Sequence, residues 1–259
     1  MAPMKALEAV IFDLDGTLVD SEQYGHRVAF NEAFEAFGLP DRWTPERYRE
    51  LLATTGGERR LLAWLCSPES SYFDRPEAQR REMAASLHGW KSDRVEAMAA
   101  SGAIPAREGV GDWLQELAGR GVALAVATTG SRQWALPLLD KLFGLDRFAG
   151  VVTGDDVARR KPDPEAYQLA LARLGVDRTA AVAVEDSGPG WEAARAAGLA
   201  CVVVADTETN LDSVADAPLV LDGFGPTSRV IRDRFEVMNS GRGVANVLDQ
   251  LLSRATIET

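Results

Sequence analysis

The chain is poor in cysteine, in positive charge and in long apolar runs. Its two cysteines, Cys66 and Cys201, stand far apart and form no metal-ligand cluster. Both read as buried thiols of a reducing compartment. Lysine and arginine number 28 against 39 acidic residues, a net charge of −11. That deficit argues against nucleic acid and membrane surfaces as partners, because both are polyanions. It leaves room for a small anionic substrate, since a bound cation and a few lysines can reverse the local potential. No stretch reaches the length of a membrane span. The apolar run at 9–12 is too short for a signal peptide, and charge comes early. A cytoplasmic, monomeric enzyme is therefore expected. With 259 residues, 46% hydrophobic and 26% charged, the chain can fill one large or two modest domains.

What is present begins with "AVIFDLDGTLVDSE" at 9–22, where Asp13 and Asp15 directly follow a buried-looking strand, residues 6–12. Carboxylates are costly to bury, so their charge is wanted there. From Ser21 to about Gly102 only helical spacing appears: Val28, Ala29, Ala33, Phe34 and Phe37, then two short helices broken at Gly56-Gly57, then a long helix or helix pair over 75–102. After Ile104, apolar strands at 122–129, 150–154, 180–186, 200–206 and 218–223 alternate with helices at 132–143, 164–175 and 190–198. A terminal helix is predicted at 243–254, and 224–242 carries no clear signal. The alternation predicts an α/β fold: a Rossmann-like parallel sheet with helices on both faces, residues 1–20 and 104–259, interrupted by an all-helical insertion, 21–103.

Ligands of open parallel sheets bind beyond the carboxyl ends of the strands. Asp13 and Asp15, Thr128 and Thr129, and Glu185 and Asp186 all fall at such ends. Asp13, Asp15 and Asp186, with Glu185 beside them, offer the oxygen ligands that Mg²⁺ takes. Lys161, in "RKPDPEAY", offsets carboxylate repulsion and can hold a phosphoryl oxygen; the Thr128 hydroxyl can hold another. A carboxylate beside a metal can attack phosphorus. A second one two residues on can protonate the leaving oxygen and then deprotonate water. That division of labour is the reason for two aspartates.

These segments, "DLDGT" at 13–17, the strand ending in Thr128, Lys161 before "PDPEAY", and "EDSGPG" at 185–190, resemble the four motifs of the haloacid dehalogenase superfamily, in order. The insertion resembles the helical cap of subfamily I, and "GHRVAFNEAF", "TTGG" and "HGWKSDR" are similar to cap sequences of CbbY-like phosphatases. The resemblance runs to about residue 223. It implies Asp13 as nucleophile, Asp15 as acid/base and as metal ligand through its carbonyl, Thr128 and Lys161 as phosphate holders, Asp186 with Glu185 at the Mg²⁺, and a small sugar phosphate, such as xylulose 1,5-bisphosphate, as substrate. Glu22, Gly56, Gly57, Arg60, His88, Lys91, Thr129, Ser131 and Arg132 are the candidate substrate contacts. Where that group tends to show Gly-Gly-Lys, this chain has Gly56-Gly57-Glu58, and Arg59 or Arg60 can supply the missing charge. A phosphosugar mutase resembling β-phosphoglucomutase shares fold and motifs and is the alternative; an inactive binding module and a dehalogenase fit less of the pattern.

Overall fold

The computed structural model describes residues 6–54, 56–207, 209–225, 228–234 and 247–251. They form two compact units, Met1–Asp20 with Ala106–Thr259, and Ser21–Pro105. β1 (Ala9–Phe12) begins the first unit and is buried along its whole length. The chain leaves this unit after Asp20 and returns at Ala106. At the crossing, Val19 pairs antiparallel with Ala106, and Arg107 N donates to Leu18 O at 3.0 Å.

Ser21–Pro105 is helical. A wide turn, Glu22–His26, runs into α1 (Arg27–Ala36). α2 (Pro45–Leu51) starts on a Thr44 cap, whose hydroxyl accepts from Arg47 N at 3.2 Å, with proline at the first position. α3 is Gly57–Leu65 and α4 is Glu77–Ser101. The predicted "helix or helix pair" is one helix of 25 residues, stopped by left-handed Gly102. Gly89, at its middle, costs about 1 kcal/mol against alanine, too little to break a helix that buries Ala84, Leu87, Val95, Met98 and Ala99. Phe30, Phe34, Trp43, Tyr48, Leu61, Trp64 and Leu65 pack the centre, with Trp43 edge-on to both Phe34 and Trp64.

The first unit continues with α5 (Val110–Gly119), β2 (Ala123–Ala127), α6 (Arg132–Phe143), β3 (Gly150–Val152), α7 (Glu165–Leu174), β4 (Ala181–Glu185), α8 (Gly188–Ala196), β5 (Ala200–Val204), β6 (Leu219–Leu221) and β7 (Val230–Asp233). The sheet order is β3-β2-β1-β4-β5-β6-β7, parallel except for β7. β4 and β5 are buried throughout, as strands covered on both faces must be. Ala9 and Ile11 pack towards Tyr167 and Ala170 of α7 and Ala193 and Ala194 of α8; Val10 and Phe12, on the other face, are equally buried. Register carries the functional consequence. Phe12 pairs with Val126 and with Val184, so the residues following β1, β2 and β4 emerge side by side.

Three readings of the sequence change. α5 was not expected; it buries Val110, Leu114 and Leu117, with Trp113 packed against Phe224. β7 fills part of the stretch without clear signal, since two of its four residues are exposed. Cys201 is buried, but Cys66 is exposed at the end of α3. Within the expected helix 243–254, residues 247–251 are helical and the rest lie outside the described residues. No helix among the described residues is long and apolar enough to cross a membrane.

Candidate active site

Asp13 follows β1 directly, and its N–H donates to Val184 O at 2.9 Å, which fixes it against β4. Its carboxylate is buried. Lys161 Nζ reaches across from the loop before α7 and donates to Asp13 Oδ1 at 2.5 Å and to Glu185 Oε1 at 2.6 Å. Tyr167 Oη donates to the same Glu185 oxygen at 2.5 Å. A Cβ at Gly190 would lie 1.9 Å from Glu185 Oε2, so the first turn of α8 needs glycine to admit that carboxylate. After Asp13 the chain turns back on itself: Gly16 N donates to Val19 O, and Leu18 N to Leu14 O, both at 2.9 Å. Gly16 has φ +80°, and a Cβ there would stand 2.3 Å from Asp186 Oδ2. Thr17 Oγ1 donates to Asp186 Oδ1 at 3.0 Å.

This pocket holds more negative charge than it neutralises. Burial, with Glu185 and Asp15 adding repulsion, pushes Asp13 up to about 8 against the pull of Lys161. Burial, then Asp13 and Glu185, likewise holds Asp186 well above the usual carboxylate range. Burial alone would lower Lys161, but Asp13 and Glu185 outweigh it and raise its proton affinity. Oxygens of Asp13, Glu185 and Asp186 lie within 4.8 Å of one another. A hard, oxygen-liganded divalent cation such as Mg²⁺ fits this donor set and its excess charge.

Asp15 stands beside the trio. Its Oδ2 accepts from Thr128 Oγ1 at 3.4 Å and from Trp134 Nε1 at 3.3 Å. Of the other residues after β2, Ser131 caps α6 by accepting from Trp134 N at 3.2 Å, and Thr129 is half-buried. Arg132 is paired with Asp156 at 2.6 Å. The remaining candidates gather within the helical unit. Tyr48 Oη donates to Glu22 Oε2 at 2.5 Å, and Arg60 donates to Tyr48 Oη at 3.2 Å and to Leu51 O at 3.0 Å. Lys91 sits in the buried stripe of α4, with Nζ 2.9 Å from His26 Nδ1 and over the Phe30 ring. A Cβ at Gly57 would meet His88 Cδ2 at 2.9 Å, and Gly56, at φ +94°, lies beside the Arg59 guanidinium.

A family model described as haloacid dehalogenase-like hydrolase matches residues 7–198. The chain belongs to this family. Protein CbbY of Cereibacter sphaeroides is 40% identical over 221 residues, 84% of this chain and 93% of that protein. A mutant CbbY from Rhodobacter sphaeroides, solved in complex with xylulose-(1,5)-bisphosphate, matches at 39% identity and a TM-score of 0.66, covering 85% of this chain and 96% of that one. Validoxylamine A 7'-phosphate phosphatase of Streptomyces hygroscopicus subsp. limoneus is 32% identical over 222 residues, 83% of this chain and 92% of that protein.

In this hydrolase several contacts escape motif reading. Tyr167 lies six residues past Lys161, on the apolar side of α7, and reads as core. Trp134 reads as packing for the same reason. Tyr48 carries no motif, and His26, though inside "GHRVAFNEAF", is not among the expected contacts; their polar atoms matter because Glu22, Arg60 and Lys91 reach them. His26 yields a testable pH effect. Burial, then Lys91, Arg60 and His88, holds its proton affinity well below the ordinary value. The unfolded chain therefore binds a proton that the folded one refuses, so His26 itself contributes a loss of stability as pH drops below about 6.5, of about 1.4 kcal/mol per pH unit, set against the opposite trend from the raised Asp13 and Asp186 carboxyls. His26→Asn, which keeps an acceptor for Lys91, is expected to remove that slope from denaturant unfolding measured between pH 7 and 5.

Proposed function

We propose that this protein is a Mg²⁺-dependent phosphatase of small sugar phosphates working through an aspartyl-phosphate on Asp13. The observation that supports it most is the Asp13 carboxylate held at 2.5 Å by Lys161 at the end of β1, with Asp15 two residues on, held by Thr128. An Asp13 oxygen attacks phosphorus while the bond to the sugar oxygen breaks, and that oxygen takes a proton from the Asp15 carboxyl. Asp15, now ionised, removes a proton from water as the water attacks the same phosphorus. The bond to Asp13 breaks and inorganic phosphate leaves. Lys161 holds a phosphoryl oxygen throughout, and the Thr128 hydroxyl, on Asp15 before substrate binds, turns to another when the phosphoryl group arrives. Mg²⁺ at Asp13, Asp186 and Glu185, with the Asp15 carbonyl, would neutralise charge on the transferring group.

Phosphate release across a panel of sugar mono- and bisphosphates, with and without Mg²⁺, tests this reading. Release from a sugar phosphate that stops in chelator supports it. Full activity in chelator contradicts the metal, and conversion of glucose 1-phosphate to glucose 6-phosphate would make the protein a mutase. Xylulose 1,5-bisphosphate belongs in the panel because a relative was solved with it.

The groups at the sheet edge handle only the phosphoryl group, so sugar choice falls to the helical unit. Lys91 and Arg60 are cations buried in its interior, an arrangement that packing alone disfavours. Charge-assisted contacts contribute about 1.5–3 kcal/mol. Lys91→Ala is expected to lower kcat/KM for a preferred bisphosphate roughly ten- to a hundredfold while changing p-nitrophenyl phosphate turnover far less. Equal losses on both would assign Lys91 to the fold.

A further inference from the structure

The indole of Trp134 has a built place beside the proposed acid/base. Trp134 lies in the first turn of α6 and is buried. Its Nε1–H donates to Asp15 Oδ2 at 3.3 Å, the oxygen to which Thr128 Oγ1 also donates at 3.4 Å. Two features of the chain hold the ring there. The Ser131 cap fixes the turn that carries it, through Trp134 N. Gly130 makes room: a Cβ at that position would fall 2.6 Å from the indole Cδ1 and 3.1 Å from Nε1. Gly130 N in turn donates to Thr128 Oγ1 at 2.9 Å, which leaves that hydroxyl's hydrogen for Asp15. An indole serving only as filler needs apolar neighbours; this one aims its single polar atom at a carboxylate.

We propose that Trp134 is a positioning residue for Asp15: it holds one carboxyl oxygen, and keeps holding it once Thr128 turns to the phosphoryl group, and so sets the orientation from which Asp15 protonates the leaving oxygen. The inference rests on the acid/base reading of Asp15. In the first step the electron pair of the breaking P–O bond goes to the alcohol oxygen, which takes the Asp15 proton, while an Asp13 oxygen bonds to phosphorus. A poor leaving group needs that proton; p-nitrophenolate leaves without it. A well-placed acid therefore matters for one ester and little for the other, whereas damage to the fold affects both.

The test compares kcat/KM of the Mg²⁺-loaded enzyme for phenyl phosphate and p-nitrophenyl phosphate, two esters of similar shape. This parameter covers the steps up to departure of the phenol, so hydrolysis of the common intermediate does not enter. The variants are Trp134→Phe, Trp134 replaced by 3-benzothienylalanine, which keeps the shape and lacks the N–H, and Asp15→Asn. We expect both Trp134 variants to lose about tenfold on phenyl phosphate, equivalent to about 1.4 kcal/mol, and less than about twofold on p-nitrophenyl phosphate. Asp15→Asn should show the same bias more strongly. If the isosteric variant loses nothing, or loses equally on both esters, while Asp15→Asn keeps its bias, the role of Trp134 is overturned and the acid/base reading stands. If Asp15→Asn treats the two esters alike, that reading falls, and the inference with it.

Discussion

Asp13→Asn is expected to give a folded protein whose phosphate release is lower by at least about four orders of magnitude, the scale of losing a nucleophile from a concerted site. The amide is isosteric, so the backbone bond from Asp13 N to Val184 O and the packing of β1 are untouched. What disappears is the electron pair that would attack phosphorus, since an amide oxygen is a far weaker nucleophile than a carboxylate. Substitution also takes one negative charge out of a buried group that includes Glu185 and Asp186, which works against unfolding. The measurement is phosphate release in Mg²⁺ alongside a thermal unfolding curve. A folded Asp13→Asn enzyme with near-normal turnover would end the aspartyl-phosphate mechanism.

Lys161→Met is expected to produce the largest loss of stability at the site. Nζ donates to two buried carboxylates at once, Asp13 and Glu185, and is itself almost wholly enclosed. Removing one partner from a buried ion pair strands the other, at a cost of about 3–5 kcal/mol. Here two acids lose their cation together, and Tyr167 remains as a neutral donor to Glu185 only. Denaturant unfolding in chelator measures the loss. Adding Glu185→Gln to Lys161→Met should recover part of it, because one stranded charge is gone. A Lys161→Met protein as stable as the parent would mean that Asp13 takes up a proton once its cation is gone, as its raised proton affinity allows, and that the ion pair adds nothing to stability. Activity should fall with stability, but the double variant should not regain it, since the phosphate-holding cation is still missing.

Much of the fold was legible because this chain states it twice. β1, β2, β4 and β5 are short apolar runs, and the helices between them keep one apolar face, so period and length agree. α6 spans the predicted residues because a serine cap and a glycine stop bound it. α5 escaped notice because Gly109, Gly111 and Gly119 interrupt the helical spacing that Val110, Trp113, Leu114 and Leu117 carry, and β7 because an edge strand need bury only part of itself. The acids were legible for a different reason: Asp13, Asp15 and Asp186 come just after buried strands and Glu185 ends one, where a carboxylate has no packing role. Of their partners, Lys161 and Thr128 were legible and the ring residues were not. Tyr167, Trp134 and Tyr48 are apolar in bulk and polar at one atom, and a sequence does not say where that atom points. Lys91 was visible as a lysine, but its place within the buried stripe of α4 emerges only once Leu87 and Val95 are seen on either side of it.

The antiparallel pairing of Val19 with Ala106, tightened by Arg107 N on Leu18 O, makes the helical unit an outsized loop of a hairpin. Arg107 fastens the stem further, since its guanidinium donates to Gly16 O, Val204 O and Ala205 O. The entropy of closing a loop grows only with the logarithm of its length, about 0.6 kcal/mol per doubling. With the stem secured by its own hydrogen bonds, the sheet and its acids scarcely register how many residues the excursion contains or what they are. On the function proposed above, lengthening, shortening or exchanging the excursion is then a change of diet that leaves the digestive chemistry intact.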